Sequence, residues 1–167
     1  IIDKIGSGGF SVVYLVNDVK NDFEFAAKVS GHLRSDRLVD YIKEVNVISL
    51  LNHAAIVKIY GYCLKDFDNK NNQVIIMENV PNGDLQDVID EEANEFPREG
   101  WDRTQKLITL YGIASGMAYS VSYGITHSDL KPLNILMTDD LFPKITDFDS
   151  ARMEADSNRQ IFNLSGD

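Results

Sequence analysis

The sequence predicts an α+β protein of two lobes, strand-rich first and helix-rich second, with a cleft between them. Three observations carry this prediction. Before Pro81, short β-branched and aromatic runs alternate with polar turns. Pro81-Asn82-Gly83-Asp84 then forms a punctuating turn. After it, apolar residues recur at helical spacing. The chain has 167 residues, enough to bury a core, and neither an internal repeat nor a low-complexity linker divides it.

Ser11–Val16 is β-branched and aromatic, 17–22 is turn material, and Phe23–Val29 alternates, so the two runs predict a hairpin. Leu38, Ile42, Val45 and Ile48 share one face of a helix that starts near Ser35 or Asp36 and ends at Asn52-His53. Ile56–Leu64 and Gln73–Glu78 read as further strands around a solvated polar turn, 65–72. Leu85–Glu92 reads as a short helix whose acidic end, Asp90-Glu91-Glu92, is a solvated face. A long helix runs from about Arg103 to Ser122, with Asp102 as cap and Gln105 placed for a capping box. Its expected buried face is Leu107, Leu110, Tyr111, Ala114, Met117, Ala118 and Val121. Gly112 and Gly116 each cost roughly 1 kcal/mol against alanine there, and their shared face suggests close backbone packing. Short strands are expected within Gly124–Asp129, Asn134–Met137 and Lys144–Asp147.

Sixteen basic and 26 acidic residues leave a net charge of −10, which disfavours a nucleic-acid partner and docking on anionic membrane. No apolar run approaches the ~20 residues of a membrane span, and the opening IIDKIGSGGF is not the pattern of a signal peptide. Cys63 is the only cysteine, which rules out an internal disulfide and suits the reducing cytoplasm. With three scattered histidines beside it, a closed zinc site is not expected.

Three segments carry chemistry. Ile5-Gly6-Ser7-Gly8-Gly9-Phe10-Ser11-Val12-Val13 offers glycines whose N–H groups can approach phosphate, although a plain hairpin turn would use them equally well. Lys28 ends the apolar run Phe25-Ala26-Ala27, either snorkelling to solvent or aimed at phosphate, and Glu44 lies mid-helix as a possible partner or a solvated glutamate. The third segment weighs most, although any one of its residues alone would read as an ordinary polar loop residue. His127-Ser128-Asp129-Leu130-Lys131-Pro132-Leu133-Asn134 is followed by Asp147-Phe148-Asp149. Asn134 and Asp147 are hard oxygen ligands suited to magnesium held with phosphate, and Asp129 beside them suits a hydroxyl proton.

With these segments in order, the whole chain resembles the eukaryotic protein kinases: glycine-rich loop, strand lysine, helix glutamate, the hinge-like MENVPNGDL, HSDLKPLN and DFD. Asp-Leu-Lys-Pro-x-Asn is similar to the serine/threonine kinases, and the Trp101–Tyr119 stretch to the tyrosine-kinase-like group, which mostly phosphorylates serine and threonine. The resemblance implies a two-lobed fold, with an N-lobe over 1–80 and a partial, mainly helical C-lobe over 81–167. It implies ATP and magnesium as cofactors and a serine- or threonine-bearing protein as substrate. Gly6, Ser7, Gly8, Gly9, Phe10 and Ser11 would cover the phosphates. Ile5, Val13, Ala26 and Leu136 would sandwich adenine, with backbone contacts from Glu78 and Val80 and Met77 at the back. Lys28, held by Glu44, would contact phosphate. Asn134 and Asp147 would hold magnesium, Asp129 would orient the acceptor hydroxyl, and Lys131 would steady the transferred group.

Four departures stand out. Ser11 replaces the third loop glycine, and Ser128 the arginine of His-Arg-Asp, which implies regulation without a phosphate docked on that arginine. Asp149 replaces the glycine of Asp-Phe-Gly, adding a carboxylate near the metals at a position where positive φ is expected. The expected consequence is slow or conditional turnover, with a pseudokinase or nucleotide-binding scaffold as the alternative function. The chain ends at Asp167 without an Ala-Pro-Glu segment, as a piece of a longer protein or a shortened kinase-like protein would.

Overall fold

The computed structural model describes residues 1–8, 11–32, 42, 45–46 and 48–153. Five strands form one antiparallel sheet in the order β1-β2-β3-β5-β4: β1 Asp3–Ser7, β2 Ser11–Asp18, β3 Phe23–His32, β4 Ile59–Cys63 and β5 Asn72–Glu78. The β2–β3 hairpin closes where the Asp18 carbonyl accepts the N–H groups of Asn21 and Asp22, with Asp22 at φ 57°. Aspartate tolerates that left-handed geometry better than most residues. Val16, Ala27 and Val74 form the sheet's small core, with Tyr14, Phe25, Val29 and Ile76 packed on it. β4 begins at Ile59 rather than Ile56, because Ile56 pairs instead with Ile145. In the polar turn, Asp66 accepts from the N–H groups of Asp68 and Lys70 and from the Asn72 amide.

Ile42, Val45 and Ile48, expected on one helix face, are helical; Val45 is buried and Ile48 packs on the main core. The expected start at Ser35 or Asp36, Leu38 and Glu44 lie outside the described residues.

The second part contains α1 (Leu85–Ala93), α2 (Arg103–Ser122), β6 (Ile125–Thr126), β7 (Ile135–Met137), β8 (Pro143–Ile145) and β9 (Arg152–Met153). β7 pairs with β8 and β6 with β9, both antiparallel. These strands are shorter than expected, because the His127–Asn134 stretch leaves extended geometry at Ser128 and closes on a 3-10 turn at Pro132–Asn134. Leu51, Ile56, Val88, Trp101, Ile125, Ile135, Met137, Leu141, Ile145 and Phe148 form the main core. The Ile145 N–H donates to the Ala55 carbonyl (2.8 Å) and the Val57 N–H to the Ile145 carbonyl (2.9 Å), stapling β8 to the segment that enters the sheet. No helix of the described residues is long and apolar enough to cross a membrane.

Three expectations are corrected. The buried side of α2 is Thr109, Gly116 and Ser120, and Met117 packs on the main core as expected, whereas Leu107, Leu110, Tyr111, Ala114, Ala118 and Val121 are exposed. The reason is proximity. A Cβ on Gly112 would stand 2.7 Å from Pro143 Cγ, and one on Gly116 would stand 2.9 Å from Ile145 Cδ1, so α2 meets β8 along its small residues. At the α2 start, the Asp102 side chain accepts from the Gln105 N–H (2.8 Å), but the Gln105 amide turns away to the Leu141 carbonyl (2.7 Å). The reciprocal capping box is at α1 instead, between Asp84 and Asp87. The acidic end of α1 is not merely solvated. Glu91 takes two bonds from Arg98, and Glu92 pairs with Lys106 and the Trp101 indole N–H.

Candidate active site

Lys28 lies mid-β3, opposite Val13 of β2 and Ile75 of β5. That register places it on the sheet and sends its side chain toward the turn after β8. Its ammonium donates to Asp147 Oδ1 and Asp149 Oδ2, each at 2.6 Å. The lysine side chain is 12% exposed, while Asp147 and Asp149 are 38% and 54% exposed. Burial lowers the lysine's proton affinity, but the Asp149 charge and the bonds to both carboxylates outweigh it and hold the ammonium above its usual range. The expected partner, Glu44, lies outside the described residues; the contacts Lys28 makes among them are to these two aspartates.

The loop after β6 is built around His127. Its ring is wholly buried, 4.6 Å from the Phe148 ring. Nδ1 accepts from the Asp129 N–H (3.3 Å), which leaves Nε2 to donate to the Thr146 carbonyl at 2.8 Å. Ser128, immediately before Asp129, adopts the left-handed φ of 65°. Lys131 Nζ donates to Asp129 Oδ2 at 2.7 Å. Asn134 donates its side-chain amide to the Asp129 carbonyl (2.8 Å) and to Oδ2 (3.1 Å). The Lys131 bond is the main cause holding the Asp129 carboxyl below the ordinary range, with Asn134 adding to it and partial burial opposing.

The turn after β8 reverses the expectation about backbone strain. Asp147 takes the left-handed conformation, φ 62° and ψ 56°. Asp149 sits inside the right-handed 3-10 turn Phe148–Ser150 and is absent from the positive-φ residues. No glycine-like freedom is therefore used at Asp149, and what distinguishes the position is its carboxylate on Lys28.

A cavity of about 480 Å³ opens at this point. Of the residues assigned to nucleotide, Ser11, Lys28 and Met77 line it, together with Asp147, and it continues behind Lys28 to Val45 and Ile48. The other described residues assigned to nucleotide are not part of its lining. Gly6 and Ser7 pair with Val13 and Val12, and the Gly8 N–H donates to the Ser11 carbonyl (2.9 Å). Gly9 and Phe10 lie outside the described residues. Ala26 is buried opposite Met77. Leu136 is partly buried and bridges to Asp84, beyond the hinge-like Glu78–Val80 stretch. The Glu78 N–H donates to the Lys58 carbonyl (2.8 Å), and its carboxylate pairs with Lys144 (2.8 Å).

The donor set fits magnesium and phosphate. Asn134 commits its amide nitrogen to Asp129, so its hard amide oxygen is the end left for a cation, and Asp147 has one oxygen beyond its Lys28 bond. Among the described residues no three His, Cys, Asp or Glu side chains cluster as a self-sufficient metal cage. A cation here would complete its shell from phosphate oxygens and water. Sequence reasoning missed the Asp149–Lys28 bond and the organising role of His127 and Thr146. The alternation placing Lys28 on a known strand face was a signal for neither, because both depend on chain folding back from far away.

Residues 1–165 match the model of the protein kinase domain, and the chain belongs to that family. It is 34% identical over 155 residues to Cysteine-rich receptor-like protein kinase 19 of Arabidopsis thaliana, covering 91% of this chain and 23% of that protein. PR5-like receptor kinase from the same plant is 33% identical over 156 residues, with 89% and 22% covered. Calmodulin-binding receptor-like cytoplasmic kinase 2, also from Arabidopsis thaliana, is 29% identical over 173 residues, with 97% and 39% covered. The chain thus spans less than a quarter of the length of the first two relatives.

Proposed function

We propose that this chain is the nucleotide-binding and catalytic part of a cytoplasmic protein serine/threonine kinase, with an N-lobe over 1–80 and a partial C-lobe over 81–167. The observation that carries the reading is the meeting of Lys28 and Asp147 at 2.6 Å across 119 positions of sequence, beside the Asp129, Lys131 and Asn134 cluster.

Asp129 is a carboxylate at neutral pH, held so chiefly by Lys131. It accepts the hydrogen bond of a serine or threonine hydroxyl on the substrate protein and takes its proton as that oxygen bonds to the terminal phosphorus of ATP, while the bond from that phosphorus to the bridging oxygen breaks and ADP leaves. Lys131, next to it, offsets charge on the transferred group. Lys28 supplies a positive charge to the phosphates, and Asn134 and Asp147 would hold magnesium. Magnesium, when bound, neutralises phosphate charge during transfer. The backbone of 6–11 covers the phosphates, while adenine is sandwiched by Ile5, Val13 and Ala26 above and Leu136 below, with backbone bonds from Glu78 and Val80 at its edge and Met77 at the back. Positioning and charge are the catalytic means throughout.

Incubation with magnesium-ATP labelled on its terminal phosphate and a generic protein substrate tests this. Phosphoserine or phosphothreonine, lost in Asp129→Asn, is the expected result. Calorimetry showing no nucleotide binding with or without magnesium overturns the reading.

A further inference from the structure

Asp149 stands where the family has glycine, and its carboxylate lies 2.6 Å from the Lys28 ammonium. An ammonium has three donors, and two of these are spent on Asp147 and Asp149. The group is nearly buried, and two carboxylates meet one positive charge, so among the described residues the local balance is −1 (−2 + 1). A phosphate approaching Lys28 meets an ammonium already neutralised twice over.

The turn that carries Asp149 is anchored by contacts other than Lys28. Phe148 is buried in the main core against His127, and the Ala151 N–H closes the 3-10 turn on the Phe148 carbonyl at 2.9 Å. The carboxylate is thereby presented to Lys28 from a fixed turn. A glycine at this position would present nothing.

We propose that Asp149 is a positioning residue that latches Lys28 to the cleft floor in competition with nucleotide phosphate. The inference rests on the kinase reading above. For Lys28 to engage phosphate, at least one carboxylate must yield it. Asp147 would be drawn off by magnesium, whereas Asp149, the more exposed of the two, would keep its bond to Lys28. Its effect therefore falls on nucleotide affinity as well as on the turnover that the sequence expectation concerned.

Two measurements on the whole chain test this, using Asp149→Asn, which keeps the shape and removes the charge at an exposed position. The first needs no nucleotide: the Lys28 ammonium resonance, identified by its loss in Lys28→Met, should shift in Asp149→Asn. The second is ADP titration in the presence of a chelator. Asp149→Asn should bind about five- to tenfold more tightly, the scale of releasing one partly exposed ion pair. The same change made in Lys28→Met should alter affinity by less than about twofold. An unmoved resonance overturns the latch and leaves the kinase reading standing. So does an unchanged ADP affinity, or a gain that persists without Lys28, which would be direct repulsion of phosphate. If no variant binds nucleotide at all, the kinase reading falls and the latch with it.

Discussion

His127 Nε2 donates to the Thr146 carbonyl at 2.8 Å, joining the loop that carries Asp129 to the residue immediately before Asp147. One buried imidazole thereby ties the segment carrying Asp129 to the segment carrying Asp147. The Thr146 N–H reinforces this by donating to the Asn134 carbonyl at 3.0 Å.

His127→Phe preserves the ring volume against Phe148 but leaves the Thr146 carbonyl and the Asp129 N–H without their side-chain partner. Two orphaned polar groups near the core should cost about 1–3 kcal/mol of stability, measured by urea denaturation. Turnover should fall further than nucleotide affinity, because Asp129 loses its position and Lys28 does not. Wild-type stability in this variant would remove His127 from the organising role.

Asp129→Asn keeps the shape of the side chain and the reach to Lys131, but cannot take a proton. Phosphorylation of a generic substrate should drop by roughly 10²–10⁴-fold, the usual contribution of a general base. Magnesium-ATP affinity should stay close to wild type by calorimetry. Unchanged turnover would assign the proton to another group.

Gly112→Ala tests the contact between α2 and β8. In an exposed helix this change stabilises by about 1 kcal/mol. Here the new methyl would meet the rigid ring of Pro143 at 2.7 Å, and overpacking of this kind costs about 1–3 kcal/mol. The net should be destabilisation, read as a lower denaturation midpoint. A raised midpoint would mean that α2 sits farther from β8.

Arg98 donates to both oxygens of Glu91, at 2.6 and 3.0 Å, and that hydrogen bonding holds the carboxyl below the ordinary range against a smaller opposing effect of burial. A carboxyl depressed by folding is stabilising above its unfolded value, and that stabilisation is lost as pH falls through the depressed folded value. Glu91→Gln should therefore melt at lower temperature than wild type at neutral pH. The two melting temperatures should converge in acid, and a gap that stays constant with pH would rule out the Glu91 charge as its source.

Sequence alone determined those elements whose causes are local. The β2–β3 hairpin follows from two β-branched runs around polar turn residues. The limits of α2 follow from the Asp102 cap and the sequence periodicity, and the strand-to-helix change at Pro81–Gly83 from turn chemistry. The segments carrying Lys28, Asp129, Asn134 and Asp147 were legible as a resemblance, since each is short and contiguous. Tertiary structure decided which side of α2 is buried. The helix carries both an apolar stripe and a small-residue stripe, and the choice between them lies with Pro143 and Ile145, which approach closely enough that only glycine fits. It likewise decided what Lys28 touches. Asp149 is 121 positions away in the chain, and no periodicity within β3 reports a carboxylate brought in by a turn that another core holds in place.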